Sequence, residues 1–268
     1  MTTRPPAVAG SFYPAASAAL DAMVRELLAD ARPVLPNQAP KALISPHAGY
    51  IYSGSTAAHG YAALHPETQP ISRVVVACPT HRVGIRGIAL PGVDAFATPL
   101  GEIPVDTAAC ERLADFDQVG VRPDVHAEEH ALEVQLPFLQ VLLGEFELVP
   151  LAVGDLPPGQ VGEVLDAAWG GPETLIVISS DLSHYLAYEQ ARQVDAETID
   201  TILRGEPIAQ DARACGVRAL NGFLATTGIR ELEPRLLAAC NSGDTAGDRS
   251  RVVGYAAIGW YQEDTHVA

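Results

Sequence analysis

Residues 74–77, Val-Val-Val-Ala, and residues 175–178, Leu-Ile-Val-Ile, are apolar at every position. A strand with one wet face alternates apolar and polar residues, whereas a strand covered on both faces reads as a continuous apolar run. Around these runs lie longer segments with helical spacing. Leu20, Met23, Val24, Leu27 and Leu28 fall on one face of 18–31, and Leu132, Leu136, Leu139 and Leu143 on one face of 128–143. Short buried strands alternating with helices of ten or more residues imply βαβ units, hence an α/β fold with a mainly parallel sheet flanked by helices. Further strands are expected at 41–45, 146–153 and 251–260, and further helices at 55–63, 105–115, 161–168, 189–203 and 212–225. The Gly- and Pro-rich segment 83–100 suggests short strands passing over the sheet. The Pro-rich stretches 33–40 and 66–70 read as connections, so one domain is expected over residues 1–268.

With 48% hydrophobic residues in 268, the chain can bury a large core. Its formal net charge of −16 repels nucleic acid and anionic membranes, leaving small molecules, metals and basic protein surfaces as partners. No run approaches the roughly 18–20 apolar residues of a membrane span, and the first six residues lack the basic and apolar regions of a signal peptide. Cys78, Cys110, Cys215 and Cys240 show no CxxC spacing and fit a reducing compartment as free thiols. The cytoplasm is the expected location.

Two strand-like runs end in histidine loops. Residues 41–45 lead into Pro46-His47-Ala48-Gly49-Tyr50, and 73–78 lead into Pro79-Thr80-His81. In an open α/β sheet ligands bind outside the carboxyl ends of the strands, so the two imidazoles can converge on one bound atom. A third such loop, Ser179-Ser180-Asp181-Leu182-Ser183-His184, brings Asp181 and His184 to the same edge. A histidine not used as a ligand can move a proton at neutral pH, with a nearby acid fixing its tautomer. Two imidazoles and one anion on a divalent ion leave adjacent open positions, the arrangement of non-heme ferrous oxygenases. A cysteine as the anion would favour zinc or cuprous copper.

Other motifs leave alternatives open. His126-Ala127-Glu128-Glu129-His130 spells H-x-x-E-H, a zinc-peptidase pattern in which both histidines share a helix face. Pro123 and Asp124 place the helix start near Glu128, which leaves His126 in the cap region and His130 in the first turn, able to point into the cavity. Gly49, Tyr50, Tyr52, Ser53 and Gly54 read as a compact turn whose glycines permit close backbone approach or positive φ and whose tyrosines can bind substrate, or as an ordinary strand-to-helix turn. The loop Cys240-Asn241-Ser242-Gly243-Asp244 and the residues up to Asp248 is an Asx-rich turn or a source of a third metal ligand.

The ordered motifs resemble the Memo family, the group called AmmeMemoRadiSam system protein B in bacteria. They are Ala9-Gly10-Ser11-Phe12-Tyr13-Pro14, the Pro46 to Gly54 signature, Pro79-Thr80-His81, Glu129-His130-x-x-Glu133-Val134-Gln135-Leu136-Pro137-Phe138, Ser179 to His184, Ala214-Cys215-Gly216 and Val253-Gly254-Tyr255-Ala256-Ala257. The resemblance implies a fold like that of class III extradiol dioxygenases such as protocatechuate 4,5-dioxygenase. It implies His47 and His81 as metal ligands, His184 as acid or base, and Asp181 as the group that orients it. His130 joins these as a catalytic candidate. Counted back from Tyr255 without a gap, the cysteine ligand of animal members falls on Thr245, so Asp244 or Cys240 is expected as third ligand. The implied metal is ferrous iron, with copper, zinc or no metal as alternatives. Radical SAM and AMMECR-type proteins are the implied partners, and animal members are described as phosphotyrosine-peptide-binding adaptors. Three functions follow: a ligand or metal site acting with partners, an Fe2+ dioxygenase on a dihydroxy-aromatic compound, and a zinc peptidase.

Overall fold

Every residue of the two apolar runs lies inside, because each side of the sheet carries its own core. The structure, a computed structural model, describes residues 2–31, 38–67, 69–209 and 213–262. The chain runs β1 (Thr3–Arg4), α1 (Ser17–Asp30), β2 (Ala42–Ser45), α2 (Tyr50–Tyr61), β3 (Arg73–Pro79), β4 (Ile88–Leu90), β5 (Ala95–Thr98) and β6 (Gly101–Pro104). Next come α3 (Thr107–Leu113), β7 (Val119–Val121), α4 (Pro123–Ala127), α5 (His130–Glu133), α6 (Leu136–Leu143) and β8 (Glu147–Val153). The remainder is α7 (Pro158–Ala167), β9 (Thr174–Ser179), β10 (His184–Leu186), α8 (Tyr188–Leu203), α9 (Val217–Leu224), β11 (Leu232–Asn241) and β12 (Val252–Gln262).

Nine strands form one sheet in the order β10-β12-β2-β9-β3-β8-β4-β7, with β11 also pairing β12. The four central strands β2, β9, β3 and β8 are parallel, and antiparallel pairings join β12 to β2 and β4 to β8 at their flanks. Side chains alternate between the two cores. Val74, Val76 and Cys78 of β3 and Leu175 and Val177 of β9 pack with α1, α2, α5 and α6. Val75 and Ala77 of β3 and Ile176 and Ile178 of β9 pack with α3, α7, α8 and α9. A strand sandwiched between two helical layers has no wet face, which is why its sequence shows no alternation. β1, β5 and β6 form a separate three-stranded sheet.

One local expectation is corrected, one alternative is settled and one strand is added. The helix expected over 128–143 is two pieces, α5 and α6, with α4 ending just before them. Pro137 lacks an N–H, and its ring meets the carbonyl four residues back, so α5 stops at Glu133 and α6 starts anew with Pro137 in its first turn. Of the two readings of 49–54 the ordinary strand-to-helix turn holds: Gly49 is the N-cap of α2 with φ −56, and the helix begins at Tyr50. Gly54 serves packing, since a Cβ there would lie 3.0 Å from Leu27 Cδ1 of α1. β11 escaped the sequence reading because Pro234 breaks its pattern, although a proline is tolerated in a strand that pairs on one side only. Residues 33–37, Thr68 and Ala212 lie outside the described residues.

The amino-terminal segment is tied across this frame by a buried ion pair. Arg4 donates to the Glu133 carboxylate, and the two side chains are 4% and 0% exposed. Arg4 also donates to the carbonyls of His126 (3.0 Å) and Glu129 (2.8 Å). Glu133 accepts from the backbone N–H groups of Ala7 (2.7 Å) and Val8 (3.0 Å) and from the Tyr13 hydroxyl. Removing one partner of such a pair strands a buried charge. Arg4→Leu is therefore expected to cost about 3–5 kcal/mol, read as a lower urea midpoint in equilibrium unfolding. A midpoint equal to wild type would show that the pair does not hold this segment.

Candidate metal centre

β2 and β3 both pair in parallel with β9, so their carboxyl ends reach one edge of the sheet together. His47 follows β2 after one residue, and His81 follows β3 after one residue. The third ring comes from His130, the first residue of α5, which packs against β3. The ring centroids lie 5.2 Å apart for His47–His81, 5.5 Å for His47–His130 and 4.6 Å for His81–His130. One ring nitrogen from each histidine lies within 4.8 Å of the other two.

Hydrogen bonds fix the tautomer of His47. The Ser179 hydroxyl donates its one proton to the Ala131 carbonyl at 2.6 Å and accepts from Gln135 Nε2 at 2.8 Å. Gln135 Nε2 also donates to the Pro46 carbonyl at 3.0 Å, which settles the orientation of its amide. His47 Nδ1 lies 2.8 Å from the same hydroxyl oxygen, so it must be the protonated nitrogen that donates there. Nε2 is left with a bare lone pair. His81 is held likewise. Its Nδ1 donates to Glu129 Oε1 at 2.8 Å, while its backbone N–H donates to Oε2 at 2.6 Å.

The electrostatics keep these rings ready to bind a cation. Burial lowers the His47 pKa to about 3, assisted by the neighbouring His81, and lowers that of His130 to about 4, assisted by His47. Both are neutral at pH 7, the form that coordinates metal. For Glu129, burial alone would raise the pKa. The hydrogen bonds from His81 and from the Ala131 backbone outweigh it and lower the value to about 2. Asp181 accepts from the His47 backbone N–H at 2.7 Å, and burial raises its pKa. His184 opens β10, is partly exposed, and acts electrostatically on both His47 and Asp181. Next to it, Tyr185 has φ 60, the one positive value at a non-glycine among the described residues, and sits where a bulge interrupts the β10–β12 register.

Not every candidate converges on this centre. Asp244 is exposed, and its carboxylate accepts from the Tyr188 hydroxyl and from the Asn241 backbone N–H at 3.1 Å. Cys240 Sγ lies 3.0 Å from the Thr56 hydroxyl. Both line a different cavity of about 560 Å³, with Tyr188, Arg192 and Tyr255. The third converging donor is thus His130 rather than Asp244 or Cys240, because the 240–248 loop is folded on itself as a capped turn. Tyr50 is also redirected. Its hydroxyl donates to the Val134 carbonyl at 2.8 Å inside the core, whereas Tyr52 remains partly exposed. His126 is buried on α4 with Nε2 donating to the Ala89 carbonyl at 2.8 Å, and His130 belongs to another helix, so the helix-face pair that a peptidase needs is absent.

Sequence reasoning missed Glu129, Ser179 and Gln135. The run Glu129-His130 was visible, but the histidine that Glu129 orients is His81, 48 residues away. Groups that hydrogen-bond metal-binding imidazoles fix the ring and raise its basicity, and so contribute to affinity. Glu129→Gln is expected to weaken zinc binding about 10- to 100-fold in a competitive chelator titration. Unchanged affinity would remove Glu129 from the centre.

Comparison with known proteins agrees from end to end. The family model described as Memo-like protein matches residues 4–259. A MEMO1 family protein of Archaeoglobus fulgidus is 36% identical over 95% of this chain and 98% of its own. Those of Methanosarcina mazei and Aquifex aeolicus are 34% and 35% identical, each over 96% of this chain and 99% of their own. The crystal structure of an uncharacterized Escherichia coli K12 protein superposes with a TM-score of 0.53 at 12% identity, covering 81% of this chain and 98% of that one, a likeness of fold alone. On the family match and these full-length relatives, the chain belongs to the Memo family.

Proposed function

We propose that His47, His81 and His130 hold a divalent metal ion, and that the centre binds and transforms a small molecule in the manner of non-heme iron dioxygenases. The observation that carries this reading is the convergence of three ring nitrogens, with His47 and His81 protonated at Nδ1 and so presenting Nε2. The donor set fits a metal. The His47 and His130 rings are neutral at pH 7, and Glu129 orients His81 as carboxylates commonly orient metal-bound imidazole. Imidazole donors suit ferrous iron, zinc and copper alike. The chemistry supplied by such an ion is Lewis-acid activation and, with iron, redox activation at the positions left open.

The chain's own residues would then divide the work. The rings position the ion, and the Ser179 and Glu129 hydrogen bonds keep the rings from turning. His184, partly exposed and electrostatically linked to Asp181, would take or return a proton at a ring nitrogen. A ring-opening reaction on a dihydroxy-aromatic substrate is the dioxygenase form of this reading. The radical SAM and AMMECR-type proteins are proposed as partners on the family resemblance, and the net charge of −16 favours partners that present basic surfaces. Among the described residues no helix is long and apolar enough to cross a membrane.

The test is metal content after anaerobic reconstitution with ferrous iron, followed by dioxygen uptake with catechol-like compounds. Wild type is expected to bind about one equivalent. His47→Ala/His81→Ala is expected to bind none, and Asp244→Ala to match wild type. Absence of bound iron in wild type would overturn the metal reading. Bound iron without dioxygen uptake would overturn the dioxygenase form and leave recognition with partners.

A further inference from the structure

Cys215 has no assigned role, yet its Sγ lies 3.2 Å from His47 Nε2. Its position is fixed by backbone. The Cys215 N–H donates to the Asp181 carbonyl at 3.2 Å, and the Gly216 N–H donates to the Ser180 hydroxyl at 3.0 Å. A Cβ on Gly216 would fall 2.6 Å from Ser180 Cβ and 2.7 Å from the Ser179 carbonyl oxygen. Only glycine lets this segment come so close, and the approach sets the thiol against the imidazole.

The direction of the contact follows from the tautomer. His47 Nδ1 carries its proton to Ser179, so Nε2 can only accept. The Asp181 backbone N–H donates to the sulfur at 3.3 Å, and the S–H has two acceptors in reach, the Asp181 carbonyl at 3.7 Å and His47 Nε2 at 3.2 Å, of which the nearer is the unshared Nε2 lone pair. A metal at His47 would use that same lone pair.

We propose that Cys215 is the internal occupant of the metal-binding lone pair: its S–H caps His47 Nε2 in the metal-free protein, and metal entry must displace it. The thiol thereby stabilises the empty site and lowers metal affinity by the same factor, since whatever favours only the metal-free state opposes binding. The centre would then load only metals that bind imidazole strongly. This inference rests on His47 being a ligand, as proposed above.

The experiment compares zinc affinity and metal-free stability in full-length wild type, Cys215→Ala and Cys215→Ser. Deleting the donor leaves a buried acceptor unpaired, so Cys215→Ala is expected to bind zinc about tenfold more tightly while its metal-free form melts lower. Cys215→Ser keeps an O–H donor and is expected to return both values toward wild type. A purely structural cysteine would lower the melting temperature without tightening zinc. Equal affinity in Cys215→Ala and wild type therefore overturns the proposal. Weaker binding, together with a thiolate-to-cobalt charge-transfer band in cobalt-loaded wild type, also overturns it by making the sulfur a ligand. Failure of wild type and both variants to bind zinc would instead overturn the metal reading on which it depends.

Discussion

The Ser179 hydroxyl has one proton, and the Ala131 carbonyl takes it. That allocation ties the end of β9 to α5, accepts the Gln135 amide, and obliges His47 to donate from Nδ1. Gln135 in turn donates to the Pro46 carbonyl and accepts from the Tyr61 hydroxyl at 2.7 Å. One buried serine thus links two strand ends, two helices and the orientation of a metal-binding ring. In the low dielectric of a protein interior such a network is stable only when every member is satisfied, which makes the ring position a property of the fold rather than of a loop.

The amino-terminal strap extends the same logic. Arg4 reaches the carbonyls of His126 and Glu129 and the carboxylate of Glu133, so it braces the segment that presents both Glu129 and His130. Glu129 then fixes His81 with two hydrogen bonds. Residues near position 4, near 130 and near 81 form one mechanical path to the centre. The H-x-x-E-H run lies on this path for a structural reason: His126 fastens α4 to the Ala89 carbonyl of β4, and only His130 faces the other two rings.

Much of this was legible before the structure. The unbroken apolar runs at 74–77 and 175–178 announced strands buried on both faces, and the placement of His47 and His81 after strand ends announced their convergence. What failed did so where long-range contacts decide. The family resemblance pointed to Asp244 or Cys240 for a third ligand, and nothing local tells that residues 241–244 close on themselves as a capped turn. The helical period over 128–143 conceals the break that Pro137 imposes, and the position of Tyr50 beside His47 suggests a substrate contact although its hydroxyl is held by Val134. Cys215 was visible as part of a motif, but its partner His47 lies 168 residues away.

The account turns on which three side chains hold the ion, and X-ray absorption at the metal edge of the zinc-loaded protein counts them directly. It predicts three imidazole ligands and no sulfur, with one imidazole lost in His130→Ala and none in Asp244→Ala. Two imidazoles with a carboxylate or a sulfur in wild type, unchanged in His130→Ala, would contradict it.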